Sequence, residues 1–310
     1  MNTRFLCAIV LCVIPMFSRG QKPGNPVAKP KMAELLVQAS GGQPEAQVLL
    51  GFMYFSGNGA PQDFGEAEKW FRKSAEQGSS DGQFLLGMFF IQEDERKNWL
   101  EAVKWFRKAA DQGNSEAQQR LGIAYKYGTG VQQDVNESAY WIRKAAEQGV
   151  VIAQAMLGDS YTKGEGIQKN LTEAAKWYSK AAVRGDSHSQ LNLGICYASG
   201  QGVTQDFTEA VKWFQKAAYQ GVANAQARLG VSYIIGRGVK KDLAEGYVWL
   251  SLAAANGEEA ASGFRNDVAN QLSRTLLTKA QARAKKIHSE IQAKKNARES
   301  EDTLAKSAQR

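Results

Sequence analysis

The sequence has few of the residues that build disulfide frameworks and metal centres. Its 310 residues include three cysteines, two histidines and six prolines. Cys7 and Cys12 lie in the first twenty residues, so a chain that loses this segment keeps only Cys196 and has no internal disulfide. Neither His188 nor His288 has a second histidine or a cysteine at the spacing of metal ligands. The sequence therefore predicts no metal and no cofactor, with both histidines on the surface and Cys196 as a small core residue.

Long apolar runs are also scarce. The run from Phe5 to Phe17 has 13 residues, which is too short to span a bilayer comfortably. Ser18 and Gly20 then supply small residues at the −3 and −1 positions of a cleavage site. We interpret residues 1–20 as a cleaved secretory signal, with an uncleaved membrane anchor as the alternative. The sequence thus predicts an exported protein, periplasmic or secreted and most consistent with a bacterial envelope, without a membrane span after cleavage.

Positive charge is concentrated near the ends of the sequence. The formal net charge is +8, and residues 274–310 contain ten basic and four acidic residues. A nucleic-acid-binding protein usually carries such charge on a folded groove or along a helix face. We therefore predict no nucleic-acid partner and interpret the basic end as a solvated segment.

Internal repetition is what the sequence has in abundance. Tryptophan recurs every 35 or 36 residues, and a Leu-Gly pair recurs with the same period, which defines six units. Six units of fixed length indicate a solenoid of stacked supersecondary elements. The residues that we predict to form the structural core of the repeats are Trp70, Trp105, Trp141, Trp177, Trp213, Trp249, Gly51, Gly87, Gly122, Gly158, Gly194 and Gly230.

Each unit is predicted to hold two helices, A and B. In the third unit, Leu121-Gly122 and Tyr125 follow helical spacing in helix A, and Gly128-Thr129-Gly130 ends it. Helix B then starts at Asp134 with Glu137 three residues later, which is the arrangement of a capping box. In such a box, the Asp side chain accepts from the first-turn N–H groups and the glutamate reaches back to the N–H of the cap. All six units carry Asp or Asn followed by Glu in this way.

The repeated pattern Ala-Gln-x-x-Leu-Gly-x-x-Tyr-x-x-Gly-x-Gly, followed by Asp and then by Trp-x-x-Lys-Ala-Ala, resembles the Sel1-like repeat, a relative of the tetratricopeptide repeat. Residues 117–149 and 190–221 match it most completely. The resemblance implies an all-α fold, an α/α superhelical solenoid of helix-turn-helix repeats. It also implies a non-catalytic scaffold or adaptor that binds another protein on the inner face of the solenoid.

The expected organisation follows from this pattern. It comprises a signal peptide (1–20), a linker (21–31), an N-terminal half-repeat cap (32–45), six repeats (46–257), C-terminal capping helices (258–294) and a charged, disordered tail (295–310). Caps are expected because a terminal repeat otherwise exposes its hydrophobic stacking face.

One pattern favours an enzyme. Ser160-Tyr161-Thr162-Lys163 matches Ser-x-x-Lys, the start of a β-lactamase-type site, but no Ser-Asp-Asn or Lys-Thr-Gly accompanies it. Cysteine-rich relatives of the Sel1-like family have been linked to β-lactam binding, and this chain lacks their cysteine pairs. We predict that the protein is not an enzyme, and the alternative is a β-lactam or cell-wall hydrolase-like activity.

Partner binding is expected on helix A, where the repeat pattern leaves positions free. Repeats 1 and 2 are unusually apolar there, and contiguous exposed apolar surface usually marks interaction. Our hypothesis is that a peptide groove is lined by Phe52, Phe55, Phe84, Met88 and Ile91. The alternative is that these side chains pack against the half-repeat cap and never reach solvent.

Overall fold

The computed structural model describes residues 32–92 and 98–307, and every regular element in these ranges is a helix. The predicted signal (1–20) and linker (21–31) lie outside the described residues. The helices are α1 (Met32–Ser40), α2 (Pro44–Ser56), α3 (Phe64–Glu76), α4 (Ser80–Phe89), α5 (Trp99–Asp111), α6 (Ser115–Tyr127), α7 (Val135–Glu147), α8 (Val151–Lys163), α9 (Leu171–Val183), α10 (Ser187–Ser199), α11 (Phe207–Ala218), α12 (Ala223–Ile235), α13 (Leu243–Ala255), α14 (Glu259–Ala269) and α15 (Arg274–Ser307).

The described residues divide into two compact units, one of residues 32–92, 98–150 and 299–307 and one of residues 151–298. In each unit the helices pack against their neighbours in sequence, and the most extensive contacts are between the two helices of one repeat. The even-numbered helices from α2 to α12 are the A helices, and the odd-numbered helices from α3 to α13 are the B helices. The predicted fold class, an all-α solenoid of helix pairs, is thereby confirmed within each unit.

The glycine of each Leu-Gly pair lets helix B approach helix A closely. A Cβ atom at Gly122 would lie 2.7 Å from Cγ1 of Ile142, and one at Gly158 would lie 2.6 Å from the ring of Tyr178. The opposed residue always follows the repeat tryptophan by one position, and in all six repeats it is buried. We did not predict this core position, whose members are Phe71, Phe106, Ile142, Tyr178, Phe214 and Leu250.

The six tryptophans are not equally buried. Four of them, at positions 70, 105, 141 and 249, have at most 8% of their surface exposed. Trp177 and Trp213, which were also predicted as core, are only partly buried. A lysine three residues later covers each of these two rings, with Lys180 Nζ 3.6 Å and Lys216 Nζ 3.9 Å from the ring centroids. These indoles therefore pack against a lysine on their outer face as well as against the protein.

Only half of the predicted capping box is present. The Asp134 carboxylate accepts from the backbone N–H groups of Asn136 and Glu137 at 2.8 and 3.1 Å, and the other five caps bind the glutamate N–H in the same way. The N–H of Asp134, however, donates to the carbonyl oxygen of Tyr125 at 3.0 Å. The predicted return bond from the glutamate is therefore wrong, because the end of helix A already provides the acceptor.

A buried glutamine ties neighbouring repeats together. Gln118 Nε2 donates to the carbonyl oxygen of Ala110 at 3.1 Å, and Gln118 Oε1 accepts from Gln148 Nε2 at 2.8 Å. Gln148 Nε2 also donates to the Gly113 carbonyl oxygen at 2.9 Å. Because a buried amide is stable only when its donors and acceptors are paired, this glutamine ladder fixes how one repeat sits on the next.

Helix α15 closes the unit of residues 151–298. Its inner side carries Ala280, Ala284, Ile287 and Ile291, which are buried against α13 and α14 with the last repeat. A disordered tail was expected from residue 295, but the helix continues to Ser307. The segment is polar yet rich in alanine, lysine and glutamate, which favour helix even without an apolar face to bury. Among the described helices, none combines the length and apolar composition needed to cross a bilayer.

Candidate functional site

The groove predicted on repeats 1 and 2 does not exist as an open surface. Phe55, Phe84, Met88 and Ile91 are 2%, 1%, 1% and 7% exposed, and Phe52 is partly buried against the same cluster. These side chains fill the space between helices of their own and adjoining repeats. Side chains that fill the space between helices in this way do not present the contiguous exposed apolar surface that was predicted.

The half-repeat cap is not what covers these residues. Phe55, for example, packs against the rings of Phe64, Phe71 and Phe89, with centroids 5.7, 6.5 and 6.4 Å away. The cap α1 has a cluster of its own, in which Leu35 packs with Trp70. The alternative interpretation is therefore right about burial and wrong about the partner helix.

An open groove lies instead in the second unit, between helix B of the fifth repeat (α11) and helix A of the sixth repeat (α12). We call it the α12 groove, and its volume is about 360 Å³. Its floor is largely apolar, with Phe207 and Phe214 from α11 and Val231 from α12. The full lining is Ala198, Phe207, Ala210, Phe214, Asn224, Ala227, Arg228, Val231, Ser232, Ile235, Arg237 and Glu258.

Two exposed arginines border the apolar floor of the α12 groove. The Arg228 guanidinium carbon lies 5.9 Å from the Phe214 ring centroid, and that of Arg237 lies 4.8 Å from the Phe207 centroid. Arg228 also donates from Nε to Asn224 Oδ1 at 2.8 Å. Stacking on a ring leaves the remaining guanidinium N–H groups in the plane free to bind a carboxylate. The groove thus combines an apolar surface with two positioned cations.

A second feature of this unit is a polar cluster in repeats 4 and 5. Tyr178 Oη donates to Asp159 Oδ1 at 2.7 Å, and His188 Nε2 lies 2.9 Å from the same oxygen. Thr162 Oγ1 lies 3.2 Å from Tyr178 Oη, and Asn192 Nδ2 lies 2.9 Å from His188 Nε2. We predicted neither this polar cluster nor a role for His188.

A departure from the repeat pattern could have revealed the cluster. Repeats 1, 2, 3, 5 and 6 have an apolar residue where repeat 4 has Asp159, namely Phe52, Met88, Ile123, Ile195 and Val231. Tyr178 likewise stands where other repeats have Phe, Ile or Leu. A carboxylate and a phenol that replace apolar residues in one repeat indicate a pair, because each needs a hydrogen-bonding partner when it is buried.

The polar cluster shifts the ionisation of its members. Burial opposes ionisation of Asp159, but hydrogen bonds from His188 and Tyr178 outweigh it and hold the Asp159 pKa below its usual range. The hydrogen bond to Asp159 raises the pKa of His188 against the opposing effect of burial. Burial and the same carboxylate raise the pKa of the Tyr178 phenol. Asp159 is therefore a stable anion, and its charge favours a protonated His188.

We expect nuclear magnetic resonance titration to give His188 a pKa above the ordinary value of 6.5. In a His288→Gln chain, His188 is the only histidine, so its signal is assigned without ambiguity.

Because folding raises the pKa of His188, its contribution to stability is complete below pH 6.5 and is lost as the pH rises through the folded pKa. Because folding lowers the pKa of Asp159, its contribution is present above pH 3.8 and is lost as the pH falls through the folded pKa.

The control for this titration is Asp159→Asn, which removes the charge and keeps the size of the side chain. The pKa of His188 should then fall toward 6.5. A His188 pKa that is unchanged by Asp159→Asn would show that the described pairing does not form in solution.

The polar cluster lacks the features of a nucleophilic active site. Burial raises the pKa of the Cys196 thiol, whereas an activated cysteine has a lowered one. The Ser160 side chain is buried, and Lys163 Nζ lies 3.7 Å from Glu165 rather than against the serine. Within residues 32–92 and 98–307, no three His, Cys, Asp or Glu residues converge in a way that could hold a metal ion. The Ser-x-x-Lys pattern therefore gains no support from the geometry.

Comparison with known proteins agrees with the repeat architecture. The sequence model of the Sel1 repeat matches six consecutive segments, at residues 44–79, 80–114, 115–150, 151–186, 187–222 and 223–258. None of the curated proteins compared with the chain matches it significantly.

Two solved structures share sequence as well as fold with the chain. A protective antigen of uropathogenic Escherichia coli with an SLR fold is 33% identical over 86% of this chain, with a TM-score of 0.75. A Sel1 repeat protein of Oxalobacter formigenes is 32% identical over 85% of this chain, with a TM-score of 0.64. The alignments cover 57% of the E. coli chain and 76% of the Oxalobacter chain. With six matched repeats over most of its length, the chain belongs to the Sel1 repeat family.

Proposed function

We propose that this protein is an exported, non-catalytic scaffold that binds another protein through the α12 groove. Sel1 repeat proteins are generally scaffolds for protein interaction, and their fold is typically non-catalytic. The observation that carries the proposal is the open apolar floor of the groove, bordered by Arg228 and Arg237. An open, partly apolar concavity with a few positioned polar groups is the usual form of a binding site.

The groove also suggests the chemistry of its partner. Ile235 is 52% exposed and extends the apolar floor of the groove. The two arginines add positive charge beside it, whereas Glu258 is the only acidic residue in the lining. A partner segment with an apolar or aromatic side chain next to a carboxylate would complement both features.

The cellular location belongs to the same proposal. Residues 1–20 have the sequence features of a cleaved secretory signal. The E. coli neighbour is described as a protective antigen, which fits a protein that reaches the cell envelope. We place the scaffold in the periplasm or at the exterior of a bacterial cell.

The test is capture of the partner by the chain from Gln21, with cross-linking in the envelope of the native host. Replacement of both Arg228 and Arg237 by glutamine should weaken binding of the captured protein at least about tenfold, because each charge-assisted hydrogen bond contributes about 1.5–3 kcal/mol. Affinity is measured by titrating the purified partner into each variant.

The matched control is Arg274→Gln, which removes an exposed arginine of α15 that does not line the groove. This variant should bind as the parent chain does. Unchanged affinity of the double variant, or an equal loss with Arg274→Gln, would exclude the α12 groove as the binding surface. Capture of no protein under any condition would count against the scaffold itself.

A further inference from the structure

A second cavity lies at the C-terminal end of the same unit, among α13, α14 and α15. We call it the C-terminal cleft, and its volume is about 690 Å³. One wall is apolar and formed by Leu252 of α13 and Ala284 of α15, which are 2% and 8% exposed. This volume falls within the range of about 300–1,000 Å³ that is common for small-ligand sites.

Three basic side chains from two helices line the opening of the cleft. Arg265 comes from α14, and Lys285 and His288 come from α15 at adjacent positions of one helix face. Arg265 and His288 are partly buried, and Lys285 is exposed. No acidic residue is present in the lining. The local charge of the cleft is therefore positive.

These basic groups differ from a neighbouring arginine that has a structural partner. Arg283, on α15 as well, is held by Glu245 through contacts of 2.7 and 3.1 Å. Among the residues that the structure describes, Arg265, Lys285 and His288 make no ion pair with a carboxylate. Arg265 donates only to the side-chain oxygen of the adjacent Asn266. Within the described part of the chain, Arg283 is therefore paired with a carboxylate, whereas Arg265, Lys285 and His288 have no carboxylate partner.

Neutral hydrogen-bonding groups complete the lining. Gln281 Nε2 lies 3.5 Å from Tyr247 Oη, and Ser289 also lines the cleft, whereas the Ser251 hydroxyl donates to the backbone carbonyl oxygen of Tyr247 at 2.8 Å. The cleft therefore offers cationic donors, neutral donors and an apolar wall together. A ligand that uses all three must carry a compact anionic group joined to an apolar part.

We propose that the C-terminal cleft binds a phosphate monoester group attached to an apolar moiety. A phosphate monoester carries about −1.5 to −2 charges at pH 7 and three acceptor oxygens, which suits several basic side chains around one cleft better than a single carboxylate does. A soluble aryl phosphate and the headgroup of phosphatidic acid share this chemistry. The site has no lining residue in common with the α12 groove, so it stands or falls independently of the proposed scaffold function.

The test uses the full chain and calorimetric titration with phenyl phosphate, inorganic phosphate and benzoate. Phenyl phosphate should bind at least about tenfold more tightly than benzoate, since a difference of 1.4 kcal/mol corresponds to a factor of ten. Inorganic phosphate, which lacks the apolar part, should bind more weakly than phenyl phosphate. Sedimentation with phosphatidylcholine vesicles, with and without phosphatidic acid, distinguishes a lipid headgroup from a soluble phosphate.

The variants are Lys285→Gln and Arg265→Gln, and the matched control is Lys279→Gln. Lys279 lies on α15 and is exposed, but it does not line the cleft. Each cleft variant should weaken binding of phenyl phosphate, or of phosphatidic acid vesicles, about tenfold or more, while the control leaves it unchanged. Lys285 is exposed and makes no described bond, so this variant keeps the test valid even if Arg265→Gln does not fold.

Three results would overturn the proposal. One is the absence of binding both to phenyl phosphate and to phosphatidic acid vesicles. Another is equal weakening by Lys279→Gln, which would indicate a diffuse attraction to the basic end of the chain. The third is benzoate binding as tight as that of phenyl phosphate, which would exclude a site selective for phosphate.

Discussion

Replacement of Gly238 by alanine is expected to lower the free energy of unfolding by about 2–5 kcal/mol, one of the two largest effects predicted for this chain. Gly238 has φ of +74°, in the left-handed region, where an L-residue with a Cβ costs about 1–2 kcal/mol. A Cβ there would also overlap the backbone carbonyl of Phe207 and lie 2.9 Å from the N atom of Thr208. Because the obstacle is backbone in the first turn of α11, overpacking should add about 1–3 kcal/mol.

Gly257→Ala separates the two contributions. Gly257 has φ of +94°, but a Cβ there would meet no heavy atom within 4 Å. It should therefore cost only about 1–2 kcal/mol for the strained backbone. The comparison is made by urea denaturation followed by circular dichroism. Equal losses of stability in the two variants would show that the close approach of Gly238 to α11 is absent in solution.

Truncation of Trp249 to alanine should cost about 3–5 kcal/mol, the range found for large buried aromatic residues. Trp249 is 1% exposed, and its ring packs edge-on against Tyr219 with centroids 5.0 Å apart. Its indole Nε1 also donates to Glu245 Oε1 at 2.9 Å. The substitution therefore leaves a cavity in the core and removes a hydrogen bond from a carboxylate.

Trp213→Ala is the matched comparison, since Trp213 occupies the same repeat position in the same unit. Its ring is only partly buried and is covered on one side by Lys216. Solvent can fill part of the space left by truncation, so the loss should be clearly smaller than for Trp249→Ala. The measurement is the change in the denaturation midpoint of each variant. A loss for Trp213→Ala as large as that for Trp249→Ala would contradict the difference in burial.

Much of the fold is encoded at short range and was predictable from sequence. The cap at Asp134 and the end of helix A at Gly128 each depend on residues within one repeat. The 36-residue period is the recurrence of this local pattern along the chain. The predicted bond from the backbone N–H of Asp134 to the Glu137 side chain does not form. That N–H instead donates to the carbonyl oxygen of Tyr125, which lies nine residues before the cap. A local sequence pattern shows which hydrogen bonds a group could form, and packing in the folded chain determines which of them it does form.

The candidate sites depend on positions that are distant in sequence. Phe84 and Met88 look like free positions of an amphipathic helix, but packing between repeats buries both. Asp159 and His188 are 29 residues apart, and their contact requires that α8 and α10 pack side by side. The cations of the C-terminal cleft come from two different helices. The departure from the repeat pattern at Asp159 signals a buried polar group, but which side chains meet at each of these sites depends on helix packing that sequence spacing does not give.

The glutamine ladder has a consequence for how such a protein can change in length. Gln118 Nε2 donates to the carbonyl oxygen of Ala110, and Gln118 Oε1 accepts from Gln148 Nε2 just after helix α7. Gln190 and Gln226 make the equivalent bonds to Ala182 and Ala218. A duplicated 36-residue segment would carry, at each of its ends, the residues that form these hydrogen bonds with the neighbouring repeat. Arrays built in this way can gain or lose modules by recombination without having to evolve a new interface.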